Sequence, residues 1–519
     1  MNLLDYTIIA VYIIGFLFLG KLFKASKSGE DYFLGSKSFH WFPLSISTAA
    51  TQLSAISFIS APAFVGLKEG GGMMWLTYEF AVPLAMIFLM IFLIPPMFKM
   101  GIVSVYEYLE NRYSASTRIL LSIVFQISRA FATSVMIYTV SLILTSVMDI
   151  PMWVTIIIIG LVTLIYSYQG GMKAVVYGDM IQMGILFLGI IICLIYGLHH
   201  LGGWDTFVNN VDQQRLNVID FTATGFEGGD EFGFWPMLIG GFFLYASYYG
   251  TDQSQVQRLF SAKDIGTVRK ALLCNGLMRF PLTLTYCIMG LIIGTLVVQN
   301  PDFRNMIPLD KPDLMIPIFI KEYLPHGIIG ILLIAIFSAA MSSLSSTINS
   351  LSAASIEDIF NRSKKMDNEQ YVKYSKWLAL FWGVVCIVLA FFTGDIAKTV
   401  IEAINKVGSV FYGPIFATFI AAIGLKRTNF IGANAGLLTG VLVNVYLWLY
   451  CPEVFWFWWN AIGAVVTIVV SLVVSTIIKR EEYQDIQTDK IVVDYQKVAI
   501  LSVFAIAIIA FSYIFPSLF

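Results

Sequence analysis

The stretch FSAAMSSLSSTINSLSAASIEDIF, residues 337–360, follows directly on the apolar run GIIGILLIAI, and nine of the twenty residues from Phe337 to Ile356 are Ser or Thr. On a helix, Ser338, Ser342, Ser345, Ser346 and Asn349 keep the spacing i, i+4, i+7, i+8, i+11 and make one stripe. Ser343, Thr347 and Ser350 form a second row beside it. Isolated hydroxylated residues in an apolar helix serve close packing, each bonded back to its own i−4 carbonyl. Two adjacent rows ask for more partners than that.

The surrounding chain is a membrane protein. It is 58% apolar, 15% aromatic and only 13% charged, whereas soluble domains carry about 25% charged residues. Scanning for apolar segments of membrane length gives fourteen candidates, at about 5–23, 41–65, 74–98, 119–148, 152–168, 178–199, 234–250, 271–298, 326–356, 376–393, 403–425, 431–450, 454–478 and 497–516. With the N-terminus outside, the cytoplasmic connections hold 23 basic residues and the outer loops seven. That asymmetry places both termini outside the cell (inner or plasma) membrane. Asp5 precedes the first apolar run with no Lys or Arg, which reads as a retained span rather than a cleaved leader. The five cysteines are scattered, with no disulfide framework or metal spacing, and the four histidines fall at segment ends.

Two spans are interrupted. The second, WFPLSISTAATQLSAISFISAPAF, is broken by Ser, Thr, Gln and Pro, and the seventh, FWPMLIGGFFLYASYYGTDQSQ, by glycines and a polar end. They lie five spans apart, the pattern of an inverted-repeat transporter with repeats at 41–199 and 234–425. Broken backbone survives at membrane depth only where protein or a water-filled cavity satisfies it. Hydroxyls of one helix and carbonyls freed by another's unwinding make a neutral cage for a hard monovalent cation such as sodium.

The motifs are similar to those of the sodium:solute symporter family. FSAAMSSLSSTINSLSAASIEDIF resembles its ninth-span fingerprint, QGGMKAVVYGDMIQ (169–182) its turn after the fifth span, and TDQSQVQRLFSAKD (251–264) its segment after the seventh. The late signature from Ala422 to Leu442 and YEYLENR (106–112) match as well. The resemblance implies an all-α, LeuT-like five-plus-five inverted repeat in a single transmembrane unit, with one helix before it (5–23) and three after (431–516). It implies sodium-coupled symport of a small polar solute, foremost a sugar or a sugar acid such as sialic acid, with a monocarboxylate or amino acid as alternative. The main sodium site would take carbonyls of Ala50, Leu53 and Ala339 and hydroxyls of Ser342 and Ser343. A second would use Asp179 with Ser342, Ser345 and Ser346; otherwise Asp179 is a carboxylate at a helix start.

Substrate candidates from the same resemblance are Gln52, Ser54 and Ser57 on the broken span, Glu79 on the third, and Asp252 and Gln253 after the seventh, with Tyr248 and Tyr249 as ring stackers or gates. TDQ and the YE of TYEF are similar to the sugar branch, SQVQR to the monocarboxylate and iodide branch. Arg129 lies within the fourth span, one turn before the position of the acid-binding arginine of sialic acid carriers. It reads as either that arginine or a partner of Glu79 or an interface group. Arg279 reads as an interface anchor, and Arg258 as one of the solvated basic residues of the cytoplasmic connections. A proton-coupled carrier would set Lys or a carboxylate in the cation cage, which is neutral here. A membrane enzyme would need a nucleophile–base pair or metal cluster, and GxSxG, HExxH and GxGD are missing from the sequence. Solute, sodium and bilayer are the partners implied, with no nucleic acid or obligatory protein partner.

Overall fold

In lipid every backbone polar group must be satisfied within its own segment, so long apolar stretches become helices. The computed structural model describes residues 1–22, 28–53, 55–392, 399–478 and 492–519. Ser54 and the loop residues Lys24, Lys27, Lys479, Arg480 and Lys490 lie outside the described residues. The main helices are α1 (Leu3–Leu22), α2 (Trp41–Gln52), α3 (Ala55–Gly66), α4 (Met73–Lys99), α5 (Ala115–Met148), α6 (Met152–Leu201), α7 (Phe234–Gly250), α8 (Gln253–Phe260), α9 (Ile265–Gln299), α10 (Ile328–Phe360), α11 (Asn368–Ala390), α12 (Val400–Gly424), α13 (Phe430–Tyr450), α14 (Trp456–Ile477) and α15 (Tyr495–Ile514).

Among the described residues ten helices are individually long and apolar enough to cross a membrane, or eleven if the bent pair α2–α3 is one span. The other three expected spans fall on shorter apolar pieces, Leu3–Phe18, Met152–Ile165 and the 17-residue α7. The expected fifth and sixth spans run on as α6, turned at Gly171, whose φ of +54° is left-handed. A Cβ there would sit 2.7 Å from the Tyr32 carbonyl, so the QGGMK stretch needs glycine for both conformation and space.

The serine-rich helix is the centre of the bundle. In its most apolar 18-residue window 83% of α10 is buried, against 22% of α11 and 28% of α15. Its start is held by Asp5, whose Oδ1 accepts from the Gly327 and Gly330 amides at 2.7 and 3.1 Å. The first helix thus serves as a capping carboxylate for the ninth span. At the other end Asp358 accepts from Arg118 Nε at 2.7 Å and from Ser104 at 2.8 Å. The tail of the fingerprint is therefore a structural lock.

Two contacts fix the frame around the broken helix. Gly290 of α9 lies against α3, and a Cβ on it would meet the Pro62 carbonyl at 2.5 Å, while one on Gly66 would meet the Gly290 carbonyl at 2.1 Å. Small residues let these backbones touch. In α12, Pro414 has no N–H for the Val410 carbonyl. Asn444 of α13 donates its Nδ2 to that oxygen at 3.0 Å, and Gly413 lies against the Asn460 carbonyl of α14.

Gly290→Val forces α3 and α9 apart and is expected to cost about 3 kcal/mol or more. Gly184→Ala, where a Cβ meets nothing within 4 Å, should stay within roughly 0.5 kcal/mol of the parent. Thermal unfolding of the purified protein in detergent checks both.

Candidate functional site

At Leu53 the backbone leaves the helix (ψ 86°), and α2 and α3 meet at 54°. Thr51, Gln52, Ile56 and Ser57 beside the break border a cavity of about 110 Å³. Ser343 and Thr347 of α10 face it, with Arg129 and Thr133 of α5, Tyr248 of α7, and Asn405 and Tyr412 of α12. The break and the second hydroxyl row therefore share one chamber. Thr133 bonds Thr347 at 3.1 Å. Tyr248 donates to the Thr51 carbonyl at 3.4 Å, and Tyr249 donates to Gln52 Oε1.

Among the described residues, the buried Ser343 hydroxyl oxygen finds no partner. An orphaned buried oxygen is costly in a protein interior, and it stands where a cation ligand was expected. Ala50, Leu53 and Ala339 are all buried. Ser342 donates its hydroxyl to Asp179 Oδ1 at 2.5 Å, which leaves the Ser342 oxygen lone pairs free to accept. Ser345 and Ser346 bond back to the Ser342 carbonyl at 3.0 and 2.7 Å.

Asp179 has a partner that its sequence neighbourhood does not reveal. Arg258 of α8 donates to its Oδ2 at 2.9 Å, and Ser47 of α2 donates to the same oxygen at 2.5 Å. Arg258 also donates to Ser47 Oγ at 2.8 Å and to Ser346 Oγ. It is 1% exposed, so the expectation of a solvated loop residue is corrected: burial forces a cation into contact with a carboxylate. The rest of TDQSQVQR is equally occupied. Asp252 accepts from the Ser254 amide at 2.8 Å to start α8, and Gln257 donates to Asn349 at 2.7 Å.

Arg129 pairs with Asp252 and lies over the Tyr248 ring, 5.1 Å from its centroid. It is paired neither with Glu79 nor at an interface. Glu79 instead holds Arg279, through Nε–Oε2 and Nη2–Oε1 contacts of 3.1 Å each, and accepts from Thr283 at 2.8 Å. Arg279 is 4% exposed and borders the cavity, which corrects its reading as an interface anchor. Glu79 is wholly buried and does not line the cavity with Gln52, Ser57, Arg129 and Tyr248. Gln253 is turned to the Val103 carbonyl and the Val105 amide at 2.7 and 2.9 Å. Nothing in local sequence marks Arg258 or Arg279, because their partners lie 79 and 200 residues away.

Beyond the end of α3, Lys68 bridges to Glu402 of α12 at 2.9 Å. Beside it Asp313, in the loop before α10, caps α12 by accepting from the Val400 amide at 3.0 Å. Burial pushes the Asp313 carboxyl up to about 6.

A family model described as "Sodium:solute symporter family" matches residues 32–440. The chain is 27% identical to the human sodium/iodide cotransporter over 440 residues, covering 83% of this chain and 67% of that one. It is 28% identical to human sodium-coupled monocarboxylate transporter 1 over 459 residues, covering 85% and 73%. Its fold is that of a Na+-coupled sialic acid symporter solved in a substrate-bound outward-open state, with a TM-score of 0.82 at 24% identity over 92% of this chain and 98% of that one.

Asp313 binds its proton more tightly folded than unfolded, so the folded chain holds more protons between about pH 4 and about pH 6. Stability should fall as pH rises through that window and level off above it. Asp313→Asn should remove its share of the slope and stabilise the protein at pH 7 by on the order of 2–3 kcal/mol, read by thermal unfolding from pH 4.5 to 8.

Proposed function

The chain belongs to the sodium:solute symporter family, and from that membership and the chamber at the helix break we propose that it imports a short monocarboxylate together with sodium. The observation that carries the solute class is the chamber itself. Two arginines border it, while the carboxylate expected to receive sugar hydroxyls, Glu79, is already bound to Arg279 and Thr283. A short acid fits the cavity of about 110 Å³. The relatives named as iodide and monocarboxylate carriers agree with a small anion. A sugar acid remains the second reading, favoured by the overall likeness to the sialic acid symporter.

In this reading the helices form a LeuT-like five-plus-five inverted repeat over 41–199 and 234–425 within fourteen spans, both termini outside. Sodium sits between the carbonyls of Ala50, Leu53 and Ala339 and the hydroxyls of Ser342 and Ser343. Gln52, Ser57 and Tyr248 line the solute, and the Arg129–Asp252 pair forms a wall. Glu79, Gln253 and Tyr249 act as supports. Sodium stabilises the outward-facing form, solute follows, and the bundle rocks about the shared site.

Arg258 occupies the carboxylate that a second ion would use. In this reading the present arrangement has room for one ion, and a second joins Asp179, Ser342, Ser345 and Ser346 when Arg258 releases the carboxylate. Stoichiometry then sets the driving force. One sodium with one monoanion moves no net charge, and a tenfold sodium gradient supplies about 1.4 kcal/mol. Two sodium ions add a net charge worth about 2.3 kcal/mol at 100 mV, about 5 kcal/mol together, or several thousandfold accumulation.

In proteoliposomes, uptake of radiolabelled pyruvate should require sodium, and Ser343→Ala should raise the half-saturating sodium concentration at least about tenfold. Equal uptake in choline or potassium buffer sinks the proposal. For Asp179→Ala, the slope against sodium concentration and the response to an imposed potential should both fall to those of a one-ion carrier; unchanged values mean that no second ion binds there.

A further inference from the structure

Three elements meet where α12 begins. The Ile401 amide donates to Ser60 Oγ of α3 at 3.0 Å, and Asp313, in the loop before α10, accepts from the Val400 amide at 3.0 Å. Glu402 accepts from Lys68, just past the end of α3, at 2.9 Å and from the Thr399 hydroxyl. Lys68 also lies over the Phe64 and Phe232 rings, 4.7 and 5.0 Å from their centroids. Lys68, Glu402 and Asp313 are all buried. Two carboxyls are thus gathered in the interior around one ammonium.

This cluster closes one end of the chamber. Ser57 of α3 and Ile401 and Asn405 of α12 border the cavity, and Ser60 lies about one turn beyond Ser57. Widening the chamber at this end must part α12 from α3, which breaks the Ser60 and Lys68 contacts and wets the three charged side chains. The closed and open arrangements treat the second carboxyl differently. When closed, Lys68 neutralises Glu402, and an ionised Asp313 adds a buried negative charge beside it. When open, water solvates both.

Burial above all, with a smaller push from Glu402, holds the Asp313 carboxyl at about 6 against hydrogen bonds from Ser60 and Val400. In water it would sit near about 3.9. The other nearby cations are engaged elsewhere. Lys406, one turn on in α12, lies over Trp448 and Trp459. Arg215, from the loop before α7, donates to the Val65 and Lys68 carbonyls at 3.0 Å each, and Lys321, on the short helix after Asp313, bridges to Asp149 at 2.9 Å. Glu69, Glu231, Asp310, Lys311 and Glu322 are exposed to solvent.

We propose that Asp313 is a proton-binding site that latches the chamber: a proton on it secures α12 against α3, and its loss frees α12 to open. On the topology proposed above this end faces outside, so external acid would hold the carrier shut. The sign follows from linkage. The closed form binds the proton more tightly, so its advantage is complete below about pH 4 and is lost as pH rises through about 6. Sodium, which favours the open form in the reading above, then expels the proton, and the proton weakens sodium by the same factor.

The test uses the full-length protein in detergent, with sodium chloride as probe, choline chloride as its replacement and no solute. The sodium concentration giving half the thermal shift should be flat above about pH 6 and rise about tenfold by pH 5. Asp313→Asn should give a flat profile at the weaker, acid-like value. Lys68→Gln should move the break to higher pH, because no ammonium then serves either carboxyl, and Glu402→Gln should move it lower, because Lys68 then serves Asp313. A merely structural role would not shift the break in opposite directions. An unchanged sodium affinity from pH 5 to 8, or a pH dependence that survives in Asp313→Asn, overturns the latch and leaves the sodium site standing. Absence of any sodium-induced shift in the parent at every pH removes the sodium reading itself, and the latch with it.

Discussion

A buried guanidinium on a buried carboxylate, Arg258 on Asp179, joins four helices at one point. It links α8 to α6, and through Ser47 and Ser346 it reaches α2 and α10. Removing one partner of such a pair typically costs about 3–5 kcal/mol, because the other charge is stranded. These four helices are therefore coupled through one cation that the protein supplies itself. Any rearrangement that separates α8 from α6 must neutralise Asp179 in another way, by a proton or by another cation.

The same design recurs at the cavity. Arg129 has Asp252 and Arg279 has Glu79, so the chamber is lined by strong donors while its formal charge stays near zero. Unpaired charges at this depth would be prohibitive. Paired ones keep directional hydrogen-bonding capacity at a much smaller desolvation cost. Among the described residues that border the cavity, the Ser343 hydroxyl and the Arg279 Nη1 are buried without a hydrogen-bond partner.

Much of this was readable in the chain. The break near Leu53 announces itself through Ser, Thr, Gln and Pro within a span. The two hydroxyl rows of α10 follow from helical spacing, and Ser343 and Thr347 do share a wall. The turn of α6 was signalled by Gly170-Gly171. The pairings were not readable. Periodicity reports which residues share a face and says nothing of what faces them, so Arg258 was counted with the loop cations and Arg279 with the interface. Glu79 and Gln253 carry family-like residue types, yet tertiary contacts from Arg279, Val103 and Val105 engage their side chains. Whether the short pieces Leu3–Phe18, Met152–Ile165 and α7 each count as a span depends on tilt and surroundings that hydropathy does not encode.

The loaned donor at Pro414 has a mechanical meaning. A proline inside a helix normally leaves an unmet carbonyl as well as a bend, and flexing there exposes that oxygen to apolar surroundings. Here Asn444 meets it from a separate helix, while Gly413 is seated on α14 below. The half of α12 that bears Ile401, Asn405 and Tyr412 over the chamber is thus tied to the C-terminal helices just before the proline, at Ser409 and Val410 by Asn444 and at Ser409 again by Asn460, so a bend at Pro414 costs no unmet carbonyl while the chamber wall stays anchored.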